Sequence, residues 1–304
     1  MSPPAGVSVV VPTVRRPSLD PLVLVLTEQL RHAPVPVELL VVEDLLRAGP
    51  AATRNRGWSA AKHDWVAFLD DDVLPGPDWL AGLVRDLDQP PDVGGVQGMV
   101  TVPCSGRPDD WERNTAGLAR AAWATADMAY RRAALEQVRG FDERFPRAYR
   151  EDADLAYRVR RHGWRLAMGT RRTVHPVRPA GRWISLASQR GNADDALLRR
   201  LHGPAWHRRL DAPAGRRHRH AAVVAAGLTA AGLALAGRHP ANRVGALLAG
   251  AAWTAGTAEF AGARARHAPG SGPVELIVTS VLIPPLALGH WLLGWARFRG
   301  AGPW

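Results

Sequence analysis

The chain has 304 residues, more than a domain of about 100 to 200 residues needs, so one large core plus an appendage is expected. Its formal net charge of +11 comes almost entirely from arginine, with Lys62 the only lysine. Such charge suits phosphorylated substrates and anionic headgroups as well as nucleic acid, and no recognisable nucleic-acid motif accompanies it, so no nucleic-acid partner is expected. The single cysteine, Cys104, excludes an intramolecular disulfide and a cysteine-rich zinc site. The N-terminus runs from Met-Ser-Pro-Pro into a short apolar stretch without a basic segment, which does not read as a secretory leader and puts the N-terminal part in the cytoplasm.

Val7 to Val11 is a continuous β-branched run closed by Pro12, the pattern of a buried parallel strand. Two similar runs follow: Leu39 to Val42, ending in Glu43-Asp44, and Trp65 to Leu69, ending in Asp70-Asp71-Asp72. Helix-compatible stretches at 18–32 and 50–61 separate them, giving the order β-α-β-α-β and an α/β class. Polar groups follow each strand at its carboxyl end, where open α/β sheets bind ligands, so a nucleotide-sized site is expected there. Further on, 79–87 suits a helix, 94–102 a strand, 103–115 a mobile loop, and 131–138 and 151–162 two more helices.

Beyond Asp211 the only carboxylates are Glu259 and Glu275, and Ala, Gly, Leu and Val take over. The composition therefore divides the chain into 1–215 and 216–304, with apolar segments at about 221–236, 244–263 and 274–295. The first is shorter than the roughly 20 residues that cross a bilayer, whereas the other two are long enough. Arginines flank the segments (Arg216, Arg217 and Arg219; Arg264 and Arg266; Arg297 and Arg299), so the first two read as a hairpin with both ends cytoplasmic, although Arg238 and Arg243 in its turn oppose that. Pro284-Pro285 is expected to break the third segment, making it re-entrant or interfacial. An alanine-rich buried helical layer is the competing interpretation.

Three consecutive carboxylates at the end of a buried strand need a cation or hydrogen bonds to compensate them, and Mg2+ or Mn2+ bridging one or two carboxylates to substrate phosphates is one solution. An acidic turn or helix cap is the alternative.

Taken in order, Val7-Ser8-Val9-Val10-Val11-Pro12-Thr13, Val41-Val42-Glu43-Asp44, Thr53-Arg54-Asn55-Arg56-Gly57, Phe68-Leu69-Asp70-Asp71-Asp72, Met128-Ala129-Tyr130-Arg131-Arg132, Gly140-Phe141-Asp142-Glu143-Arg144-Phe145 and Glu151-Asp152-Ala153-Asp154-Leu155 resemble the motifs of family 2 glycosyltransferases. The resemblance covers roughly residues 7 to 200. It implies the GT-A nucleotide-diphospho-sugar transferase fold, a mostly parallel central sheet flanked by helices, here followed by an apolar helical, membrane-embedded region. It also implies a hexosyltransferase-like activity with a nucleotide-sugar donor (UDP-, GDP- or dTDP-linked).

By position, the resemblance assigns donor binding to Pro12, Thr13, Asp44, Arg54, Asp70 and Asp71, with Asp44 on the base and Arg54 on the nucleotide or diphosphate. Metal ligation falls to Asp72 and Asp70 with His175, and the catalytic base is Asp152, which takes the acceptor hydroxyl proton. At the start of a helix Asp152 is expected to be kept ionised by the helix dipole. Asp127, Glu151, Asp154 and Arg190 are acceptor contacts or supports. Glu43 stands where the family often has aspartate, and Asp127 where it often has asparagine.

The apolar region adds a membrane partner and, from location alone, a lipid-linked or glycan acceptor in cell-envelope synthesis. Two other functions compete: a sugar nucleotidyltransferase, which would ordinarily carry a glycine-rich loop where this chain has Val11 to Pro17, and a noncatalytic membrane protein that kept the fold.

Overall fold

A computed structural model describes residues 3–237 and 239–302. Arg238, expected in the turn between the first two apolar segments, lies outside the described residues. The chain forms two compact units. The first comprises residues 1–103, 115–177 and 207–212, and the second residues 104–114, 178–206 and 213–304.

Among the described residues, the first unit holds one seven-stranded sheet in the order β2-β1-β3-β6-β5-β7-β4. The three runs of β-branched and aromatic residues become β1 (Val7–Thr13), β2 (Val37–Glu43) and β3 (Trp65–Leu69), all parallel. Helices α1 (Leu19–Leu30) and α2 (Pro50–Ala60) make the crossovers, and α2 begins with proline at its first turn, where a missing N–H costs nothing. Beyond β3 the sheet is mixed. The two-residue β4 (Leu74–Pro75) precedes α3 (Trp79–Asp86), and β5 (Val93–Thr101) runs parallel to β7 (Arg165–Val174). β6 (Asp127–Arg131) lies antiparallel between β3 and β5.

Alternation along the strands separates two cores. Val7, Val9, Val11, Trp65, Ala67 and Leu69 pack with α1 and α3, whereas Val10, Val66, Phe68, Met128 and Tyr130 pack with residues of α2, α5 (Arg132–Val138) and α6 (Glu151–Arg161). Gly140, after α5, has φ +67°, and a Cβ there would stand 2.5 Å from Asn55 Oδ1. That contact is productive, because Asn55 Oδ1 accepts from the Phe141 N–H while its amide donates to the Phe141 carbonyl, which fixes the chain ahead of α6.

In the second unit the stretch expected to be a mobile loop carries most of α4 (Asp110–Ala116). The short helix α7 (Ile184–Ala187) leads through a 3-10 turn, Ser188–Gly191, into α8 (Asn192–His202); α9 (Trp206–Arg209) follows, and all but its first residue belongs to the first unit. The three apolar segments are the helices α10 (Arg217–Leu235), α11 (Pro240–His267) and α12 (Pro273–Arg297).

Two expectations need correction here. Pro284 and Pro285 do not interrupt α12: the helix continues through them, and Ile283, Pro284 and Ala287 are buried, so side-chain packing on that face offsets the lost backbone bonds. Moreover, among the described residues α12 alone is long and apolar enough to cross a membrane; α11 is longer, but its alanines and glycines make it less apolar. Arg264 ties this unit together, donating to Asp110 Oδ2 at 2.9 Å, to the Leu276 carbonyl at 3.2 Å and to Ser280 Oγ at 2.7 Å.

Candidate active site

The carboxyl end of β3 delivers the acidic triplet. A 3.3 Å bond from the Asp70 N–H to the Ala126 carbonyl continues the β3–β6 pairing, after which the chain turns, so that neighbouring side chains no longer alternate as in a strand. Asp70 and Asp72 meet His175 from just beyond β7, with one ligand atom of each lying within 4.8 Å of the others. Asp72 and His175 are buried; Asp70 is partly open. His175 Nδ1 lies 3.1 Å from the Pro176 carbonyl, and Nε2 lies 3.5 Å from Asp72 Oδ1. An imidazole oriented by a carbonyl and two hard carboxylate oxygens form a donor set that fits Mg2+ or Mn2+.

Arg54, from α2, is buried and joins this cluster to the start of α6. Its Nη2 donates to Asp70 Oδ1 at 2.7 Å and its Nη1 to Glu151 Oε1 at 2.8 Å, and its guanidinium lies 5.6 Å from the Phe141 ring centroid. Burial works against the Arg54 charge, but Asp70 and Glu151 outweigh it and hold its pKa above the ordinary arginine value. Glu151 is buried with its second carboxylate oxygen unpartnered. Burial and the neighbouring Asp152 push Glu151 up to about 8, against the pull of Arg54.

Asp152 occupies the first turn of α6 and is partly exposed. Its Oδ1 accepts the Ala153 N–H at 2.7 Å. The helix start does not alone set its proton affinity: the loss of water around it raises its pKa, despite that hydrogen bond and the charges of Arg54 and Arg150.

Several residues expected to touch the donor are engaged within the chain instead. Both Asp71 oxygens are taken, by Thr13 Oγ1 at 2.6 Å and Arg16 Nη1 at 2.5 Å, which turns Asp71 away from its two neighbours. Thr13 is buried and also receives the Arg15 N–H. Pro12 is part of buried β1. Asp44 accepts the Ala48 and Gly49 N–H groups, both at 2.9 Å, and so shapes the loop between β2 and α2. The guanidinium of Arg54 is committed to two carboxylates, Asp70 and Glu151.

Asp127 is fully buried on β6 and accepts from Trp79 Nε1 at 2.7 Å, Arg171 Nε at 2.7 Å and Thr173 Oγ1 at 2.5 Å. Arg171 also donates to Asp86 at 3.1 Å and to the Val96 carbonyl at 2.9 Å. This network fastens β7 to β6 two residues before His175, a supporting arrangement. Trp79, Asp86, Arg171 and Thr173 escaped sequence reasoning; the only signal was an arginine inside an otherwise unremarked stretch. Asp154 pairs with Arg158 at 2.8 Å within α6, again support, and Arg190 belongs to the 3-10 turn of the second unit.

A family model described as Glycosyltransferase like family 2 matches residues 7–191. Two curated relatives from Mycobacterium tuberculosis, each described as a pre-mycofactocin glycosyltransferase, are 32% identical over 132 residues, 39% of this chain; the chain spans only 28% of their length. Among solved structures, a mannosyltransferase from Pyrobaculum calidifontis in complex with GDP-Man and Mn2+ aligns over 97% of this chain and 88% of its own. Its TM-score is 0.57 at 21% identity, a likeness of fold.

Proposed function

The chain belongs to the Glycosyltransferase like family 2, and from that premise we propose that it transfers a sugar, with inversion, from a nucleotide-diphosphate donor to an acceptor hydroxyl. The observation that carries this reading is the single guanidinium of Arg54 linking Asp70, in the candidate metal cluster, to Glu151, next to the candidate base Asp152.

In this reading Asp152 accepts the proton of the acceptor hydroxyl as that oxygen bonds to the anomeric carbon and the bond from the anomeric carbon to the diphosphate oxygen breaks. The raised pKa of Asp152 suits it to the task, and Glu151, the more deeply buried acid, is the one that keeps its proton into the neutral range. Asp70, Asp72 and His175 would hold the divalent ion, whose chemistry is to neutralise the leaving diphosphate. Mn2+ in the Pyrobaculum relative supports this choice of cofactor. Asp44, Thr13 and Asp71 shape the donor cleft, Asp127 and Asp154 brace its walls, and we assign Arg190 to the acceptor side.

We further propose that residues 1–215 carry catalysis on the cytoplasmic side and that residues 216–304 attach the chain to the membrane through α12, which supports a lipid-linked or glycan acceptor in cell-envelope synthesis. A panel of UDP-, GDP- and dTDP-sugars offered to the detergent-purified chain with Mg2+ or Mn2+ tests the reaction. Release of the nucleoside diphosphate from one donor is expected. Formation of nucleoside triphosphate and sugar 1-phosphate when pyrophosphate is added would instead indicate a nucleotidyltransferase, and no metal-dependent release from any donor would refute the transferase reading.

A further inference from the structure

Helices α10 and α11 pack antiparallel, as the approach of Gly227 to Trp253 and of Gly256 to Val223 requires, and flank an open cavity of ≈ 370 Å3. One end is cationic. Arg216 and Arg219, at the start of α10, both pair with the single carboxylate of Glu259 on α11, Arg219 at 3.3 Å. Two guanidiniums share one carboxylate, and the buried Arg216 Nε–H has no acceptor among the described residues.

Beyond that end and the ring of His220 the lining is apolar, formed by Phe260, Val223 and a run of small residues. Ala222, Ala226, Ala252 and Gly256 leave a slot where larger side chains would close the two helices together. Outside the slot the same helices expose Leu228, Leu235, Leu247 and Leu248, each more than two-thirds accessible.

We propose that this cavity holds one anionic membrane lipid, its phosphate at Arg216 and Arg219 and the first part of an acyl chain in the alanine-glycine slot. Charge complementarity selects an anion over a zwitterion. The apolar slot, continuous with leucine-covered helix faces, selects a lipid over a soluble phosphate or nucleotide. Helical backbone offers no free donors for a peptide strand. The cavity is too small for a whole phospholipid, so the remaining hydrocarbon lies along the exposed leucines. The proposal rests on membrane attachment of the helical unit and is independent of the transfer chemistry.

The test uses the full chain, purified in neutral detergent, delipidated and offered equal amounts of phosphatidylglycerol and phosphatidylcholine, with retained lipid read by native mass spectrometry. One phosphatidylglycerol per chain is expected in preference to phosphatidylcholine. Arg219→Gln, at a side chain 70% exposed and so replaceable without disturbing the packing, should lower that retention about fivefold. Ala226→Leu should lower it by filling the slot, and Arg243→Gln, at the other end of the hairpin, should leave it unchanged.

Equal retention of both lipids, indifference to both pocket variants, or displacement of the lipid by excess inorganic phosphate would overturn the proposal. A chain that partitions into phosphatidylcholine vesicles without selective retention overturns this inference alone. A chain that does not partition into vesicles at all overturns the membrane attachment beneath it.

Discussion

Arg54 holds Asp70 and Glu151 with two different nitrogens, at 2.7 and 2.8 Å. Arg54→Ala would take from Asp70 and Glu151 the guanidinium that donates to both, a change that costs about 3–5 kcal/mol in comparable buried pairs and should appear as a lower denaturation midpoint. Asp152→Asn keeps the shape of the site but removes the proton acceptor. Turnover should fall about 10²- to 10⁴-fold while donor binding, followed by calorimetry, persists; undiminished turnover would remove Asp152 from the mechanism. The pH profile carries a sign that can be checked. Because Glu151 and Asp152 are both raised, the pair binds more protons than free carboxylates do, so kcat/KM should climb with pH until the base is fully ionised. Because Glu151 keeps its proton into the neutral range, it is uncharged while Asp152 titrates, so Glu151→Gln should leave the acidic limb in place; a limb moved to lower pH would show that Glu151 carries a charge beside the base. Sequence motifs pointed to Asp70, Asp72 and His175, whose ligand atoms the fold gathers within 4.8 Å, and to Asp152 in the first turn of α6. They could not reveal that Asp71 and Asp44 spend their oxygens inside the chain, because a motif records which residue stands at a position and not which way a turn points it.

β7 is where elements and site depend most on each other. Its sequence, Arg-Leu-Ala-Met-Gly-Thr-Arg-Arg-Thr-Val, lacks the continuous β-branched pattern that made β1, β2 and β3 legible, because its buried positions Arg171 and Thr173 are polar and are satisfied by side chains from β6 and α3. A strand stabilised by a long-range polar network leaves no local periodicity to read. Asp127→Ala would leave the buried guanidinium of Arg171 with one of its two carboxylate partners, Asp86, and loosen the strand end that carries His175. Destabilisation of about 3–5 kcal/mol is expected, together with Mn2+ affinity about 10- to 100-fold weaker in the variant protein that remains folded. Native-like affinity would show that the network serves stability alone. Gly98 makes room for this carboxylate, since a Cβ there would lie 2.4 Å from Asp127 Oδ2, so Gly98→Ala should destabilise the same strands in a thermal melt. The uninterrupted α12 makes the complementary point: Pro284-Pro285 is a strong local breaker, and only tertiary packing overrode it.

At the scale of the whole molecule, α12 predicts that the chain sediments with membranes, resists extraction by alkaline carbonate and is released by detergent; release by carbonate would make the association peripheral. The compositional change near residue 215 was visible in the sequence, yet composition reports which surroundings a segment prefers and not which segments pack together. Residues 104–114 and 178–206 read as part of the polar N-terminal portion and pack with the apolar helices. That interleaving governs how the protein can be divided. A chain cut after residue 215 would keep α8 with Leu197, Leu198 and Leu201 stripped of the helix that Gly294 seats against Ala193, and Asp110 would lose Arg264. The fragment should therefore aggregate alone, whereas residues 216–304 supplied in the same cell as a separate polypeptide should restore it, as two pieces of a split protein reassemble.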